Sequence, residues 1–181
     1  MSNNAPAKIR FKTSLQQPAK KAAWTFLVLP KNASAKLPTR SMVTVTGTFG
    51  TQPLTATLEP DGQGSHWLKI NNKLRVSAGI NPGDDVTLEI APVAKEPEPK
   101  VPTDLRKALA AAPDAMVVWK DITAVARRDW IFWITSPKKP ETRQRRIANA
   151  CDMLASGKRR ACCFDRSGIY SKSLGAPEAA E

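Results

Sequence analysis

The chain has one histidine and three cysteines, and such side chains are the usual catalytic bases, nucleophiles and metal ligands of proteins. His66 follows Gly64 and Ser65 in a turn before a strand, and no motif connects it with a serine, cysteine or carboxylate. A zinc site needs about four Cys or His ligands at motif spacing, which this set does not provide. The sequence therefore predicts a structural or surface role for His66, and no metal or other cofactor.

Cys162 and Cys163 are neighbours in the chain and lie close to Arg159 and Arg160. Nearby cations could lower the pKa of these thiols and make them redox-reactive. The alternative is two incidental thiols in a tail, since no resolving-cysteine motif is present. Adjacent cysteines rarely bond to each other, and the third, Cys151, leaves an odd count, so the sequence favours a reduced compartment.

The sequence shows no other catalytic or targeting motif. No phosphate-binding loop or dinucleotide glycine fingerprint occurs. Asp84 and Asp85 enter a strand from a turn, so their side chains should point to opposite faces. The N-terminus lacks the apolar run of a signal peptide, and no stretch approaches the roughly 18 apolar residues of a membrane span. We therefore expect a non-enzymatic, cytoplasmic protein without a transmembrane segment.

Positive charge is the strongest local signal. Lys and Arg outnumber Asp and Glu by 28 to 16, giving a net charge of +12, which favours a polyanionic partner. Between residues 138 and 160, only Glu141 and Asp152 oppose a set of cations: Lys138, Lys139, Arg143, Arg145, Arg146, Lys158, Arg159 and Arg160. This set could dock a polyanion or a protein partner. The alternative is a solvated helix face whose cations complement the helix dipole.

Arg127 and Arg128 precede Trp130 and Trp133, a combination that superficially resembles an aromatic and basic nucleic-acid surface. Tryptophans three residues apart on a helix more often pack in a core, with arginine stems covering the rings. The sequence favours the core interpretation.

Four prolines mixed with charge between Pro92 and Pro102 predict a semi-rigid linker over residues 95–102. Before it, β-branched and aromatic runs alternate with turn residues, which predicts a strand-rich domain over residues 1–94. Closure into a barrel would leave no exposed sheet edges. We therefore expect an α+β protein that begins with a small closed β-barrel and a short helix over Asn72–Ala78. The six predicted strands are Lys8–Leu15, Trp24–Leu29, Met42–Phe49, Leu54–Glu59, Trp67–Asn71 and Asp85–Ala91.

Helical periodicity after the linker predicts a small helical domain over residues 103–160. We expect Thr103 to cap its first helix and Thr123 its third, with a second helix over about Asp114–Asp121. The fourth should begin near Pro140, stop at Gly157 and bury Ile147, Ala150, Cys151 and Leu154. Residues 161–181 are expected to form a loosely ordered tail.

Two groups of motifs resemble known bacterial families. WTFLVLP at 24–30, LEPDG at 58–62 and GDDV at 83–86 resemble a small double-split β-barrel domain of unknown function. VPTDL at 101–105, ARR at 126–128, WI at 133–134, KPETR at 139–143, RRI at 145–147 and MLASGK at 153–158 resemble the helical YdeI/OmpD-associated, or bacteriocin-protection, family. The resemblance carries over no catalytic residue, and the tail from Ala161 lies beyond it.

The resemblance implies a part in tolerance of antimicrobial peptides or envelope stress. Such peptides are usually cationic, and a protein at +12 would repel them at long range. We therefore expect indirect protection through a protein partner or a polyanion. Two alternatives stay open: nucleic-acid binding by the basic fourth helix, and a small-molecule-binding barrel of unknown ligand with a pocket formed by Trp24, His66 and Trp67. The sequence predicts no oligomeric state.

Overall fold

The computed structural model describes residues 5–161 and 175–181, which form two compact units with their boundary between Lys95 and Glu96. The first unit contains strands β1 (Ile9–Ser14), β2 (Trp24–Val28), β3 (Val43–Phe49), β4 (Gln52–Pro60), β5 (His66–Asn71) and β6 (Asp85–Pro92), and helices α1 (Lys31–Ser34) and α2 (Asn72–Ala78). The second contains α3 (Thr103–Ala110), α4 (Pro113–Asp121), α5 (Ala124–Thr135) and α6 (Pro140–Ala155). The α+β class and the six predicted strands are confirmed.

The strands form one antiparallel sheet in the order β1-β6-β3-β4-β5-β2. The sheet curls until its two outer strands approach each other. Gln16, just after β1, exchanges backbone hydrogen bonds of 2.7 and 2.9 Å with Phe26 in β2. The Thr13 hydroxyl also donates to the Val28 carbonyl oxygen at 2.9 Å. The first unit is therefore a half-barrel whose edges meet at the Gln16–Phe26 bridge, which is less closure than the fully closed barrel expected.

Alternation along the strands places one face of the sheet in the core. In β6, Val86, Leu88 and Ile90 are buried, as their period of two predicts. They lie in one apolar cluster with residues of the other strands. β3 and β6 approach closely at Gly47, where an added Cβ would overlap the Glu89 carbonyl oxygen. Glycine at this position is therefore required by the packing of the two strands.

Two short helices, α1 and α2, lie in this unit, and side-chain and glycine caps set the bounds of α2. The Asn71 side chain accepts a hydrogen bond of 2.8 Å from the Leu74 N–H and so caps α2, and Gly79 ends it with φ of 67°. The observed bounds of α2 are those predicted. The sequence analysis missed α1, because a single turn after Pro30 is too short to show a helical period.

In the second unit, α6 contacts each of the other three helices. Its predicted buried stripe of Ile147, Ala150, Cys151 and Leu154 is confirmed. Thr123 caps α5 as predicted, because its hydroxyl oxygen accepts from the Ala126 N–H at 3.2 Å. The predicted capping role of Thr103 is wrong.

Thr103 is the first residue of α3, and Pro102 occupies the N-cap position without a side-chain hydrogen bond. The carboxylate that accepts from a free N–H in this first turn is Asp104, which bonds the N–H of Leu105 at 2.9 Å. Proline has a fixed φ that suits the entry to a helix, so α3 can begin without a capping hydroxyl.

The last seven residues return to the first unit. The N–H of Ala19 donates to the Glu178 carbonyl oxygen, and the N–H of Ala180 donates to that of Gln17, both at 2.8 Å. Residues 175–181 therefore differ from the loosely ordered tail expected. They supply partners for backbone groups that the sheet leaves unpaired beyond the end of β1. Residues 162–174, for which the same expectation was made, lie outside the described residues.

Candidate functional site

The residues predicted to form a basic surface lie on α6 and on the segments beside it. The guanidinium of Arg143 contacts Asp104 twice, with Nε to Oδ2 at 2.7 Å and Nη2 to Oδ1 at 3.0 Å. The hydrogen bond is the main reason why the pKa of Asp104 is lowered and the pKa of Arg143 is raised. Arg143 therefore joins the first turns of α6 and α3. Its Nε and Nη2 groups already bind Asp104, which leaves fewer N–H groups for a partner.

Arg146 also makes contacts within the second unit. Its Nη1 donates to the Trp133 carbonyl oxygen at 2.6 Å and to the Ser136 hydroxyl at 3.0 Å. Its guanidinium carbon lies 5.1 Å from the centre of the Trp133 ring, within the range of a cation–π interaction. Arg146 therefore satisfies a carbonyl in the last turn of α5 and holds the indole of Trp133.

Arg159 ties the segment after α6 to the end of α4. Its Nη1 lies 2.7 Å from Asp121 Oδ2, and its Nη2 donates to the Asp121 carbonyl oxygen at 3.2 Å. The indole N–H of Trp130 in turn donates to the Arg159 carbonyl oxygen at 3.4 Å. Arg159 therefore has a structural role in addition to its charge.

The remaining five predicted cations are exposed. Within the described part of the chain, Lys138, Lys139 and Arg145 make no ion pair. The charge of Arg160 lowers the pKa of Asp129 by a minor amount. Lys158, just after α6, donates its backbone N–H to the Met153 carbonyl oxygen at 3.0 Å. The basic surface is thus thinner than the sequence implies, and Lys138, Lys139 and Arg145 are its exposed members around the start of α6.

A pocket of about 300 Å³ opens beside α5 and α6, lined by Trp133, Asn149, Asp152 and Met153. Trp133 and Met153 pack against the core of the second unit and line the pocket with apolar surface, while Asn149 and Asp152 are exposed. The Trp133 ring is further held by an edge-to-face contact with Trp130, at 6.0 Å between ring centres. The sequence analysis missed this pocket, because no single motif contains Trp133 together with its lining residues on α6.

Trp130 is fully buried, so the core interpretation of this tryptophan is confirmed. Arg127 and Arg128 bind the linker, and a guanidinium observed over a tryptophan ring in this unit is that of Arg146. Arg127 Nη2 donates to Glu98 at 2.9 Å, and Arg128 Nη1 donates to Glu96 at 2.9 Å. The sequence held one signal for these contacts: two acidic residues in the linker, Glu96 and Glu98, and two adjacent arginines on α5.

Arg127 also closes the end of α4. Its Nη1 donates to the carbonyl oxygens of Trp119 at 3.0 Å and of Ile122 at 2.6 Å. A helix leaves its last carbonyl groups without partners inside the helix, and a cation there meets the negative end of the helix dipole. Arg127 therefore connects three segments of the second unit: the linker, the end of α4 and the first turn of α5.

Arg128 holds two carboxylates, because its guanidinium lies 2.9 Å from Glu96 and 3.1 Å from Asp129. All three side chains are largely buried, with exposures of 14% for Arg128, 11% for Glu96 and 19% for Asp129. Burial raises the pKa of Asp129, and the charge of Arg128 opposes that shift only in part. This group anchors the linker to α5.

His66 is completely buried, which agrees with a structural role. Its Nε2 lies 2.9 Å from the Ser41 carbonyl oxygen, and its Nδ1 lies 2.7 Å from the Ser34 hydroxyl. A carbonyl oxygen only accepts, so Nε2 carries the hydrogen and Nδ1 accepts from Ser34. The imidazole therefore joins α1, the loop before β3 and the start of β5.

The structure brings Trp24 and Trp67 together and places His66 on the other face of the sheet. Trp24 and Trp67 contact each other, at 6.4 Å between ring centres, and both contact Phe26. His66 and Trp67 are successive residues of β5, so their side chains point to opposite faces of the sheet. The indole N–H of Trp67 is buried and has no hydrogen-bond partner among the described residues.

A second opening of about 500 Å³ lies in the first unit beside the turn before β5, where Lys31 and Arg40 are the charged lining residues. Arg40 Nη1 donates to the Gly64 carbonyl oxygen at 2.8 Å, and both cations are exposed. Asp61 braces the same turn, because its Oδ1 accepts from the N–H groups of Gln63 and Ser65 at 2.8 and 2.7 Å. The opening is therefore rimmed by two exposed cations and a braced turn.

Cys151 is a buried free thiol whose pKa is raised by burial. Cys162 and Cys163, the thiols considered for redox reactivity, lie outside the described residues. Across residues 5–161 and 175–181, no three His, Cys, Asp or Glu side chains are grouped as metal ligands. In the same ranges, no helix has both the length and the apolar character needed to cross a bilayer.

Two family matches cover the two units. Residues 98–157 match the family described as bacteriocin-protection, YdeI or OmpD-associated. Residues 11–90 match a domain of unknown function, DUF1905. The two matches follow each other along the chain in the order that the motifs predicted, with the domain of unknown function first. No curated protein matches the chain.

Proposed function

We propose that the protein is a non-enzymatic interaction protein of the bacteriocin-protection type, which acts in the cytoplasm through a partner. The match of residues 98–157 to the bacteriocin-protection family is the observation that carries this proposal. It supports a role for the helical unit, where the exposed cations around the start of α6 also lie. The expected outcome for a cell is tolerance of antimicrobial peptides or envelope stress.

The charge of the protein supports an indirect mode of protection. At a net charge of +12, long-range forces oppose encounter with a cationic peptide, most strongly at low ionic strength. The same charge favours encounter with an acidic protein or another polyanion. Protection is therefore proposed to follow from binding a partner, and not from sequestering the peptide.

Among the described residues, the contacts of His66 and Cys151 support a non-enzymatic role. Both ring nitrogens of His66 are engaged by Ser34 and Ser41 in a fully buried position. Cys151 is buried, and its raised pKa disfavours the reactive thiolate. Neither side chain is placed to meet a substrate.

A deletion strain of the source organism, complemented with the intact gene, tests the proposal. We expect the deletion to increase killing by a cationic bacteriocin and the intact gene to restore survival. The purified protein should show no saturable binding to the same bacteriocin at physiological salt. Equal survival of the deletion and parent strains would remove the protective role, and tight direct binding would replace the indirect mode by sequestration.

Nucleic-acid binding is the second candidate, favoured by the exposed Lys138, Lys139 and Arg145. Against it, Arg143 and Arg159 are already paired with Asp104 and Asp121. Titration of labelled duplex DNA at several salt concentrations separates the candidates. Phosphate contacts require an affinity that falls steeply and linearly on a logarithmic salt scale. Absence of binding at low salt would eliminate this candidate.

A further inference from the structure

The pocket between α5 and α6 has the anatomy of a small protein-docking site. Trp133 and Met153 provide apolar surface, and Asn149 and Asp152 provide a polar rim. Its volume of about 300 Å³ is at the lower end of ligand pockets, which span roughly 300–1,000 Å³. The pocket is therefore suited to one large apolar side chain of a longer ligand.

The tryptophan in this pocket is held in place before any partner binds. Arg146 covers its ring and bonds its carbonyl oxygen, and Trp130 supports it from the core. A rigid aromatic anchor loses little conformational entropy on binding, and tryptophan and arginine are enriched among the residues that dominate interface energies. Trp133 and Arg146 are thus suited to a binding role.

The charge around the pocket differs between its two ends. Arg145, Asn149 and Asp152 are spaced i, i+4 and i+7 on α6, so they share one helix face. Arg145 lies toward the start of the helix, while Asp152 lines the pocket itself. Lys138 and Lys139 follow the Ser136 that Arg146 contacts, so they lie near the basic end. Glu141 in the first turn offsets only part of this charge.

We propose that this pocket docks an acidic segment of a protein partner. One apolar side chain of the segment enters between Trp133 and Met153, and its carboxylates face Arg145, Lys138 and Lys139. The inference rests on the proposed function, because it identifies the chemistry of the partner through which the protein acts. It places the docking site in the unit that matches the bacteriocin-protection family.

The pocket favours an acidic peptide over a nucleic acid. A nucleic acid carries phosphates along its whole length, so one that crossed the pocket would meet the Asp152 carboxylate. A peptide can place its carboxylates at the basic end and a neutral residue beside Asp152. The apolar surface of Trp133 and Met153 also suits an apolar side chain better than a charged phosphate.

The test uses the full-length protein and two short fluorescent peptides. The first has a run of Asp and Glu next to one Leu, and the second replaces each acidic residue by Asn or Gln. Fluorescence anisotropy should show saturable binding of the acidic peptide, with at least about fivefold weaker binding of the neutral one. Equal binding of both peptides, or of neither, would overturn the proposal.

Variants then locate the binding on the protein. Arg145→Glu should weaken binding of the acidic peptide at least about fivefold, while Arg106→Glu, the same charge change at an exposed site on α3, should change it less than about twofold. Met153→Ala should also weaken binding of the acidic peptide, but it should leave the salt dependence of that binding unchanged. Equal losses for Arg145→Glu and Arg106→Glu would show diffuse charge attraction and contradict a defined site.

Binding to phosphate-bearing ligands and survival of cells are two further readouts. Duplex DNA or anionic vesicles that bind more tightly than the acidic peptide, and lose binding in Arg145→Glu, would reassign the surface to phosphates and overturn the proposal.

In cells, the proposed function fails if deletion of the gene leaves bacteriocin killing unchanged. If deletion increases killing but Arg145→Glu and Met153→Ala protect fully, the function stands and the docking site is wrong.

Discussion

Arg143 in the first turn of α6 donates hydrogen bonds to both carboxylate oxygens of Asp104 in the first turn of α3, at 2.7 and 3.0 Å. The two residues are 39 positions apart in the chain, so this pair joins two helices that are distant in the sequence. Bidentate arginine–carboxylate pairs have the most favourable geometry of surface ion pairs. Their contribution is still limited, since 33% of the Arg143 side chain and 46% of the Asp104 side chain are exposed.

We predict that a double-mutant cycle of Arg143→Ala and Asp104→Asn gives a coupling energy of about 0.5–1 kcal/mol in the free energy of unfolding of the helical unit. Added salt should reduce this coupling, because the pair is partly exposed. Arg145→Ala is the matched control, with an exposed arginine of the same helix that makes no ion pair in the described part of the chain. A coupling energy of zero at low salt would contradict a structural role for the pair.

His66 gives a second prediction, for the half-barrel. His66→Leu should lower the free energy of unfolding of the first unit by about 2–4 kcal/mol, because it removes one buried and one partly buried hydrogen bond and leaves the Ser34 hydroxyl and the Ser41 carbonyl oxygen unpaired. Denaturant unfolding followed by circular dichroism measures this change.

Ser41→Ala is the control for this variant, because the bond to His66 uses the Ser41 backbone carbonyl, which the substitution keeps. It should cost less than about 0.5 kcal/mol. Nitrogen NMR shifts of the imidazole should show the hydrogen on Nε2. A native protein with the hydrogen on Nδ1 would be incompatible with the bond to the Ser41 carbonyl oxygen.

Much of the fold could be predicted from local sequence patterns. The period of two in Val86, Leu88 and Ile90 identified β6, and Thr123 identified the start of α5. These signals act between residues that are neighbours in the chain. The partners of Arg143 and Arg159 could not be predicted, since a run of cations shows charge but not which carboxylates the fold brings to it.

The same limit explains the differences at Trp133 and at the C-terminus. The pocket beside Trp133 joins α5 to residues that lie one to two turns after Arg146 on α6, so no single motif spans it. Residues 175–181 contain Gly, Pro and acidic residues, a composition that predicts a tail. They are ordered by backbone pairing with residues 17–19, which depends on the fold and hardly on side-chain type.

The close approach of β3 and β6 gives a third prediction. Gly47→Ala should destabilise the half-barrel by about 2 kcal/mol or more, because its Cβ would overlap the Glu89 carbonyl oxygen and the backbone cannot give way without breaking the ladder. Thermal unfolding of the first unit measures the effect. Gly175→Ala is the control, since its Cβ would lie at an ordinary contact distance of 3.7 Å from the Asp61 carbonyl oxygen. Similar stabilities of the two variants would show that Gly47 is not required by packing.

Cys151 gives a fourth prediction, in a protein in which Cys162 and Cys163 are replaced by Ser. A thiol reagent at mildly alkaline pH should label Cys151 at least about a hundredfold more slowly than it labels the unfolded chain. Burial blocks access and raises the pKa of the thiol, and both effects reduce the reactive thiolate. The labelling rate should rise with denaturant in step with helix loss. Rapid labelling of the native protein would mean that the α6 core opens without global unfolding.

The contributions of Asp129 and Asp104 to the stability of the helical unit should change with pH in opposite directions. Burial raises the pKa of Asp129 in the folded protein, so between its ordinary value and the raised value the folded state holds more protons than the unfolded chain. The stability contributed by Asp129 therefore falls as the pH rises through this window. The hydrogen bond from Arg143 lowers the pKa of Asp104, so its contribution is present above the ordinary carboxyl value and is lost as the pH falls through the lowered one.

Measuring the free energy of unfolding of the helical unit from acidic to neutral pH checks both signs. The stability difference between the native protein and Asp129→Asn should shift in favour of Asp129→Asn as the pH rises. The difference between the native protein and Asp104→Asn should shift in favour of the native protein over the lower part of the range. If the free energy of unfolding varied with pH in the same way for Asp129→Asn and the native protein, Arg128 would fully compensate the burial of the Asp129 carboxylate. The contact between Arg128 and Glu96 in the linker would then not depend on the protonation of Asp129.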